Sequence, residues 1–561
     1  MQEDTFVVGI DYGTESGRAV VVRVSNGAIV GQSIVPYPDG VIDEQLPGGG
    51  PKLRPDWALQ NPRDYLLVVE KAVPKALKEG RVKGEKVIGI GTDFTASSPL
   101  PTLKDGTPLC FLPKYRKHPH SWVKLWKHHA AQSEANRINE VGRERNEDFI
   151  RIYGGKYSSE WFFSKILQIL NEAPKIYAAA DRFIEAADWI VWQLTSEEKR
   201  STCGAGYKAM WVKDKGFPSP DFFQALHPDF PSVFGKIAEV YYPLGAKAGG
   251  LTAEWARKTG LKAGTPVSIG NIDAHVSVPA CTVTEPGAMV MIMGTSICHL
   301  LLGNEQQTVE GMCGVVEDGV IPGLWGFEAG QSGVGDIFAW YFEHAVPESI
   351  HRDARKLKLD FKSVLEKRAA ALDPGASGLL ALDWWNGNRS VLVDVDLTGM
   401  MLGMSLATTT EEIYRALIES TAFGTRQIIE AFKSKGVPVK ELVACGGLPE
   451  RNQLLMQIYS DVTGLEIKLA DPLLTCPALG SAMHGAVAAG RANGGYDTIV
   501  EAAQRMAHVQ KKTYRPNKKR CEVYQVLFRE YQTLHDYFGR GANDVMKRLK
   551  ELKRQVTAAR H

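Results

Sequence analysis

An acid and an imidazole set close together beyond a strand-like run can move a proton, and Ser268-Ile269-Gly270-Asn271-Ile272-Asp273-Ala274-His275 offers such a pair. Asp273 is the right residue type to accept a proton from a hydroxyl as that hydroxyl attacks a phosphoryl group. It reads equally as an acid capping the next helix or turn, with His275 packed in the core. Anion binding is the second chemistry on offer. In Val7-Val8-Gly9-Ile10-Asp11-Tyr12-Gly13-Thr14-Glu15-Ser16 an apolar strand runs into Gly-Thr, and Arg18 follows. Val290-Met291-Ile292-Met293-Gly294-Thr295-Ser296 repeats the pattern half a chain later. A second apolar run follows each, Ala19 to Val24 and Cys298 to Leu302, so each copy predicts a β-hairpin. Turn N–H groups, the hydroxyls of Thr14 and Ser16 and the Arg18 guanidinium can hold phosphate oxygens, while Asp11 can hold Mg²⁺ through water. One turn alone also reads as a polar turn with a surface arginine. Two of them from duplicated lobes suggest a clamp around a polyphosphate.

A third glycine pair, Gly446-Gly447, lies between Val443-Ala444-Cys445 and a helical run from Asn452 to Thr463. Glycine there lets a ligand approach the backbone, with Asn452 expected on the first turn facing it. No GxxxxGK[ST] occurs, since Gly235-Lys236 is followed by Ile237, and no GxGxxG follows a strand. A nucleotide would therefore bind through neither a P-loop nor a dinucleotide fingerprint. His118, His120, His128 and His129 cluster without cysteine or HExxH, which speaks against a metal centre. Trp122, Trp126, Trp161, Trp384 and Trp385 offer faces for a sugar, although most are expected in the core or between lobes.

These residues need strands to carry them and helices to cover the strands. Strand-like runs at Thr5–Ile10, Ala19–Val24 and Val87–Ile90 alternate with amphipathic stretches such as Pro62–Glu79, which predicts an α/β fold. The turn-rich Thr282-Val283-Thr284-Glu285-Pro286-Gly287 marks a junction between two lobes. From about 493 the pattern turns helical and charged, with Val523, Leu527, Tyr531, Leu534 and Phe538 as its apolar stripe. The expected units are 1–284, 285–492 and a helical extension 493–561. With 561 residues, 44% hydrophobic and 23% charged, the chain is an ordinary globular one. Its 66 basic and 64 acidic residues leave a net charge of +2, so nothing in the global field favours nucleic acid or an anionic membrane. Eight cysteines without a CxxC pair read as reduced thiols. The acidic start Met1-Gln2-Glu3-Asp4 lacks a signal-peptide charge pattern, and the longest apolar run, Pro286 to Gly303, is interrupted by polar residues. A cytoplasmic protein is expected.

Asp11-Tyr12-Gly13-Thr14-Glu15-Ser16-Gly17-Arg18, Gly294-Thr295-Ser296 and Gly446-Gly447 with Asn452 resemble the two phosphate loops and the adenosine loop of the FGGY carbohydrate kinases. Gly399-Met400-Met401-Leu402-Gly403-Met404, followed by Glu412-Ile413 and Ala416-Leu417-Ile418-Glu419, is similar to that family's C-terminal signature. The resemblance spans about residues 5 to 540 and implies two duplicated ribonuclease-H-like lobes of the actin and hexokinase type, with a cleft between them. Within the family, Gly91-Thr92-Asp93-Phe94-Thr95-Ala96-Ser97-Ser98-Pro99, Leu125-Trp126-Lys127-His128, Gly154 to Phe162, Ala205-Gly206-Tyr207-Lys208 and Phe327 to Ser332 resemble the branch acting on L-ribulose. The resemblance thus implies ATP- and Mg²⁺-dependent phosphorylation of L-ribulose at O5, a step of L-arabinose breakdown. Asp273 would be the base and Asp11 the Mg²⁺-side carboxylate. Thr14, Arg18, Gly294, Thr295, Gly335, Gly446, Gly447 and Asn452 would face ATP, while Ala96, Trp126, Lys208, Asp273 and Glu328 would line the sugar pocket. Ala96 stands where glycerol kinases carry a charged residue, which argues for a longer polyol. A homodimer is a further expectation of the resemblance. A kinase of another ketose or pentitol, such as D-ribulose, xylulose or ribitol, differs only in pocket side chains. A nonenzymatic ATP-driven switch on the same lobes would have no use for Asp273, Lys208 and Glu328 around a small cavity.

Overall fold

The structure is a computed structural model that describes residues 4–558; Met1-Gln2-Glu3 and the last three residues lie outside the described residues. The first lobe is built on β1 (Phe6–Tyr12), β2 (Ser16–Arg23), β3 (Ile29–Pro36), β4 (Val87–Phe94), β5 (Lys247–Gly250), β6 (Pro266–Ser268) and β7 (Asn271–Ile272). They form one sheet in the order β5-β6-β4-β1-β2-β3, with β7 beside β4. The second lobe is built on β8 (Gly287–Met293), β9 (Ile297–Gly303), β10 (Gly314–Glu317), β11 (Trp325–Gln331), β12 (Val439–Cys445), β13 (Ile467–Asp471) and β14 (His508–Tyr514), in the order β10-β11-β9-β8-β12-β13-β14. Each sheet has three antiparallel strands leading into a parallel pair: β3-β2-β1 then β4, and β11-β9-β8 then β12. The expected duplication is therefore present as topology.

Alternation along β1 divides the layers. Val8, Ile10 and Tyr12 face a core with Tyr65, Val68 and Ala72 of α1 (Pro62–Gly80), whereas Val7 faces the space between the sheets. Asn61, whose side chain accepts the Arg63 N–H, and Pro62 start α1 at the expected position. Further helices that bear on the site are α2 (Phe162–Glu172), α3 (Thr202–Lys208), α4 (Asp273–Ala280), α5 (Gly335–His344), α6 (Thr410–Ser434), α7 (Gln453–Thr463) and α8 (Cys476–Ala489). The inter-sheet layer holds Ala274 and Val278 of α4 with Ala478, Leu479, Ala482 and Met483 of α8. Although it follows β13 of the second lobe, α8 lies directly on the first sheet. A Cβ at Gly91 would come within 1.8 Å of the Ser481 carbonyl oxygen, and one at Gly9 within 1.9 Å of that of Ala478. Bare backbone at these positions is what lets the helix seat.

The tail departs from expectation in two ways. Residues after 493 are not wholly helical: His508–Tyr514 is the edge strand β14, paired antiparallel with β13. Its exposed, lysine-bearing face hides the strand pattern, as charged edges do. In α9 (Lys518–Gly539) the buried stripe is Tyr524, Phe528, Tyr531 and His535, while Val523 is exposed and Leu527, Leu534 and Phe538 flank it. The rotation follows polar partners that aliphatic periodicity cannot see. The Tyr524 hydroxyl donates to Glu419 Oε1 at 2.8 Å and accepts from Arg415 at 2.8 Å, and the Tyr531 hydroxyl donates to Asp383 at 2.9 Å. The basic run of α10 (Val545–Ala558) is anchored to an acidic loop, through Lys547 to Asp394 at 2.8 Å and Arg554 to Asp396 at 2.8 Å. No helix among the described residues is long and apolar enough to cross a membrane.

Candidate active site

Three carboxylates gather at the ends of neighbouring strands of the first sheet. Asp11 pairs with Asp93 across the parallel β1–β4 register, and Asn271-Ile272 of β7 pairs with Asp93-Phe94, which sets Asp273 next to them as the first residue of α4. The Asp273 carboxylate accepts its neighbour Ala274 N–H at 2.7 Å. Burial, with the negative field of Asp11, nevertheless pushes Asp273 up to about 7. Burial also raises Asp93 well above the carboxylate range, with Asp11 adding to the effect, and raises Asp11 despite Arg18 nearby. Ser481 of α8 donates to Asp93 Oδ2 at 2.5 Å, and Oδ1 has no partner.

Across from this cluster, Lys208 at the end of α3 forms a buried ion pair with Glu328 of β11, at 3.0 and 2.9 Å to its two oxygens. Burial alone would lower Lys208 and raise Glu328; their mutual attraction reverses both, so the pair is ionised. It joins the two lobes directly. Trp161 lies under the Lys208 ammonium, 5.7 Å from ring centre to nitrogen. His275 is buried against Tyr207 and 3.5 Å from Glu328, and burial pushes it down to about 3, so it is a neutral packing residue.

Both Gly-Thr sequences form hairpin loops. The Gly13 N–H donates to Ser16 O at 3.0 Å and the Gly294 N–H to Ser296 O at 2.9 Å. The first loop is tied to the sugar-side stretch by Trp126, whose indole N–H donates to Thr14 Oγ1 at 3.1 Å. Arg18 reaches across to the second lobe, donating to Leu474 O at 2.8 Å and standing 3.7 Å from Asp11. In the second loop, Val334 N–H donates to Thr295 O at 2.9 Å and Gly335 N–H to Gly294 O at 3.2 Å, which seats the start of α5 beneath the hairpin. A Cβ at Gly335 would clash with that oxygen at 2.6 Å. Gly446, at φ 101°, packs on the end of β8, where a Cβ would meet Met293 O at 2.4 Å, and Gly447 opens a short helix, Gly447–Arg451. Asn452 departs from expectation. It is the N-cap of α7 and not part of its first turn, and its amide already accepts from Leu455 N–H at 2.9 Å and donates to the Tyr414 hydroxyl at 2.8 Å. The sequence needed an N-cap there, and an asparagine before an apolar helix supplies it.

Ala96 and Trp126 sit on two loops that share one anchor. The Lys165 ammonium of α2 donates to Ser97 O at 2.7 Å and Leu125 O at 2.8 Å. Glu185 receives the Ser98 N–H at 2.6 Å and the Ser97 hydroxyl. Lys165, Glu185 and Asp93 escape sequence reasoning because their partners are far away in the chain; Ser481 is 388 positions from Asp93. Asp93 did leave one trace, a carboxylate ending a strand beside Asp11's.

Paired α/β lobes of this topology are also those of a solved xylulose kinase from Rhodospirillum rubrum, which shares the fold at TM-score 0.75 and 20% identity over 94% of this chain and 98% of that one. Residues 6–278 and 289–489 match the N-terminal and C-terminal domains of the FGGY family of carbohydrate kinases, and the chain belongs to that family. It is a carbohydrate kinase, with ATP and a small sugar as substrates. It is 57% identical over 556 residues to a ribulokinase of Geobacillus thermodenitrificans, covering 99% of this chain and 98% of that protein. A ribulokinase of Shouchella clausii is 56% identical over 549 residues, covering 98% of each.

Proposed function

We propose that the enzyme transfers the γ-phosphoryl group of ATP to O5 of L-ribulose, with Asp273 as general base. The observation that carries the reading is Asp273 itself: a half-buried carboxylate raised to about 7, beside a Lys208–Glu328 ion pair contributed by both lobes. Relatives named ribulokinase support ribulose as the acceptor. In this reading Lys208, Glu328 and Trp126 orient the ketopentose, and Ala96 leaves room for its length. Asp273 takes the O5 proton as that oxygen attacks phosphorus in line and the ADP oxygen departs. Thr14, Arg18, Gly294 and Thr295 receive the phosphates from two sides, Gly335 keeps the second hairpin on its helix, and Gly446 and Gly447 leave room for adenosine. Asn452 acts by shaping that loop, since its amide is engaged within the protein.

Asp11 and Asp93 would hold Mg²⁺; two adjoining carboxylates, Asp11 half-buried and Asp93 buried with one oxygen lacking any partner, suit a hard cation. Bound there, the ion would neutralise phosphate charge. The lobes divide near 284 in this reading, with 493–561 added to the second. All eight cysteines are free thiols, which supports a cytoplasmic setting. Leu549, Leu552 and Val556, exposed along one face of α10, support the homodimer expected from the family resemblance, and sedimentation velocity tests it.

The test is ADP release with Mg²⁺-ATP against L-ribulose, D-ribulose, xylulose, ribitol and glycerol, using wild type and Asp273→Ala. Turnover led by L-ribulose and reduced by about 10²–10⁴-fold in the variant, with ATP affinity retained, is the expected result. Preference for another sugar moves the pocket assignment, and sugar-independent hydrolysis in both proteins replaces the kinase mechanism with a switch.

A further inference from the structure

Where the two lobes meet, three thiols from three separate elements converge. Cys281 directly follows α4, Cys445 ends β12, and Cys476 opens α8. Their sulfur atoms all lie within 4.8 Å of one another, those of Cys281 and Cys476 are 3.6 Å apart, and all three residues are fully buried. Two thiolates sharing a tetrahedral ion at about 2.3 Å each would be about 3.8 Å apart, so the spacing is that of a chelating set. The surroundings limit which ion fits. The three cysteines belong to the apolar inter-sheet layer, with Val443, Ala470, Ala478 and Leu479. The set contains no fourth histidine, cysteine or carboxylate ligand among the described residues. A divalent ion on three thiolates would leave a net negative charge in that layer, and isolated buried charge is costly. A trivalent ion on three thiolates leaves none.

We propose that Cys281, Cys445 and Cys476 form a binding site for trivalent thiophilic oxyacids of the arsenite class, and that filling it arrests phosphoryl transfer. The step balances without an oxidant: As(OH)₃ and three thiols give three As–S bonds and three waters, each thiol proton leaving with a hydroxide. Arrest follows from where the three elements lead. The helix ending before Cys281 begins at Asp273; Cys445 precedes Gly446-Gly447; the helix begun by Cys476 carries Ser481, which donates to Asp93. One ion would bind these three elements to each other across the lobe junction. The thiols are fully buried, so ligation proceeds when the lobes part, and ATP with sugar slows it. Site formation stands on the thiols alone; only arrest rests on the kinase reading.

The full chain is equilibrated with arsenite, desalted, and examined by nondenaturing mass spectrometry and arsenic X-ray absorption, with turnover measured on the same samples. The expected result is one arsenic per chain with three sulfur neighbours, and activity falling in proportion to occupancy. Cys281→Ala and Cys476→Ala retain at least tenfold less arsenic, while Cys298→Ala and Cys521→Ala retain it as wild type does; circular dichroism verifies folding. Should the core variants fail to fold, monomethylarsonous acid on wild type replaces them, since it offers only two bonds and must be held at least tenfold more weakly. No retained arsenic, fewer than three sulfurs, or equal retention in Cys476→Ala overturns the site. Full occupancy with undiminished turnover overturns the arrest. Untreated enzyme inactive on every sugar would refute the kinase reading while leaving the arsenic readouts intact.

Discussion

At the scale of single residues, the pH response follows from Asp273. As the proposed general base its carboxylate would have to be ionised to accept a proton, and burial raises it to about 7. Turnover is therefore fully present above that value and lost as pH falls through it, about tenfold per unit lower down; kcat/KM against pH checks this. An acidic limb centred near 4, the ordinary carboxylate range, would contradict the assignment. Lys165 makes a different prediction because it contacts loop backbone, holding the stretches of both Ala96 and Trp126. Burial pushes Lys165 down to about 7, so Lys165→Met removes two buried hydrogen bonds worth about 0.5–1.5 kcal/mol each and should raise the sugar KM by about tenfold, with ATP KM little changed. Equal loss on both substrates would mean general collapse. Asp11 and Asp273 were read from the residue pattern of their own stretches, whereas Lys208 and Glu328 entered only through the family resemblance. Lys165 was legible in neither way, since a lysine inside an apolar helix declares its role only once two distant carbonyls meet it.

Among the elements, the hairpins were legible because Gly-Thr interrupts apolar strands twice in the same way. The edge strand His508–Tyr514 and the aromatic stripe of α9 were not, as each is specified by a partner: β13 in one case, and Arg415, Glu419 and Asp383 in the other. The seating of α8 rests on steric clearance. In Gly91→Ala the added methyl would meet the Ser481 carbonyl at 1.8 Å, so strand and helix must separate. The expected cost is about 1–3 kcal/mol, the range for overpacked cores, with activity falling too because Ser481 leaves Asp93. Thermal melts beside kinetics check this; a variant as stable as wild type would show that α8 is seated by something else.

Across the whole molecule, the Lys208–Glu328 pair and the Arg18 bond to Leu474 join the lobes together with other polar contacts, among them Arg389 to Glu160, Lys213 to Glu317 and Asp318, and Ser481 to Asp93. The tail belongs to the second lobe, because Tyr524 completes the polar set of Arg415 and Glu419 inside its core. Truncation after residue 516 should therefore leave an insoluble or strongly destabilised chain, whereas truncation after residue 542 removes a helix held by surface ion pairs worth about 0–1 kcal/mol each and by one core side chain, Met546, and should cost far less. Denaturant melts of the two truncations distinguish these outcomes.

The seating of α8 on β1 and β4 also sets an order of events at the ribosome. The opening strands are made first, yet the helix that covers their glycine-lined face emerges about 380 residues after β4, roughly 20–80 s later at 5–20 residues per second. Until then the nascent first lobe holds an uncovered apolar sheet. Its maturation is coupled to translation of nearly the entire message, and this is the interval in which chaperone protection matters most.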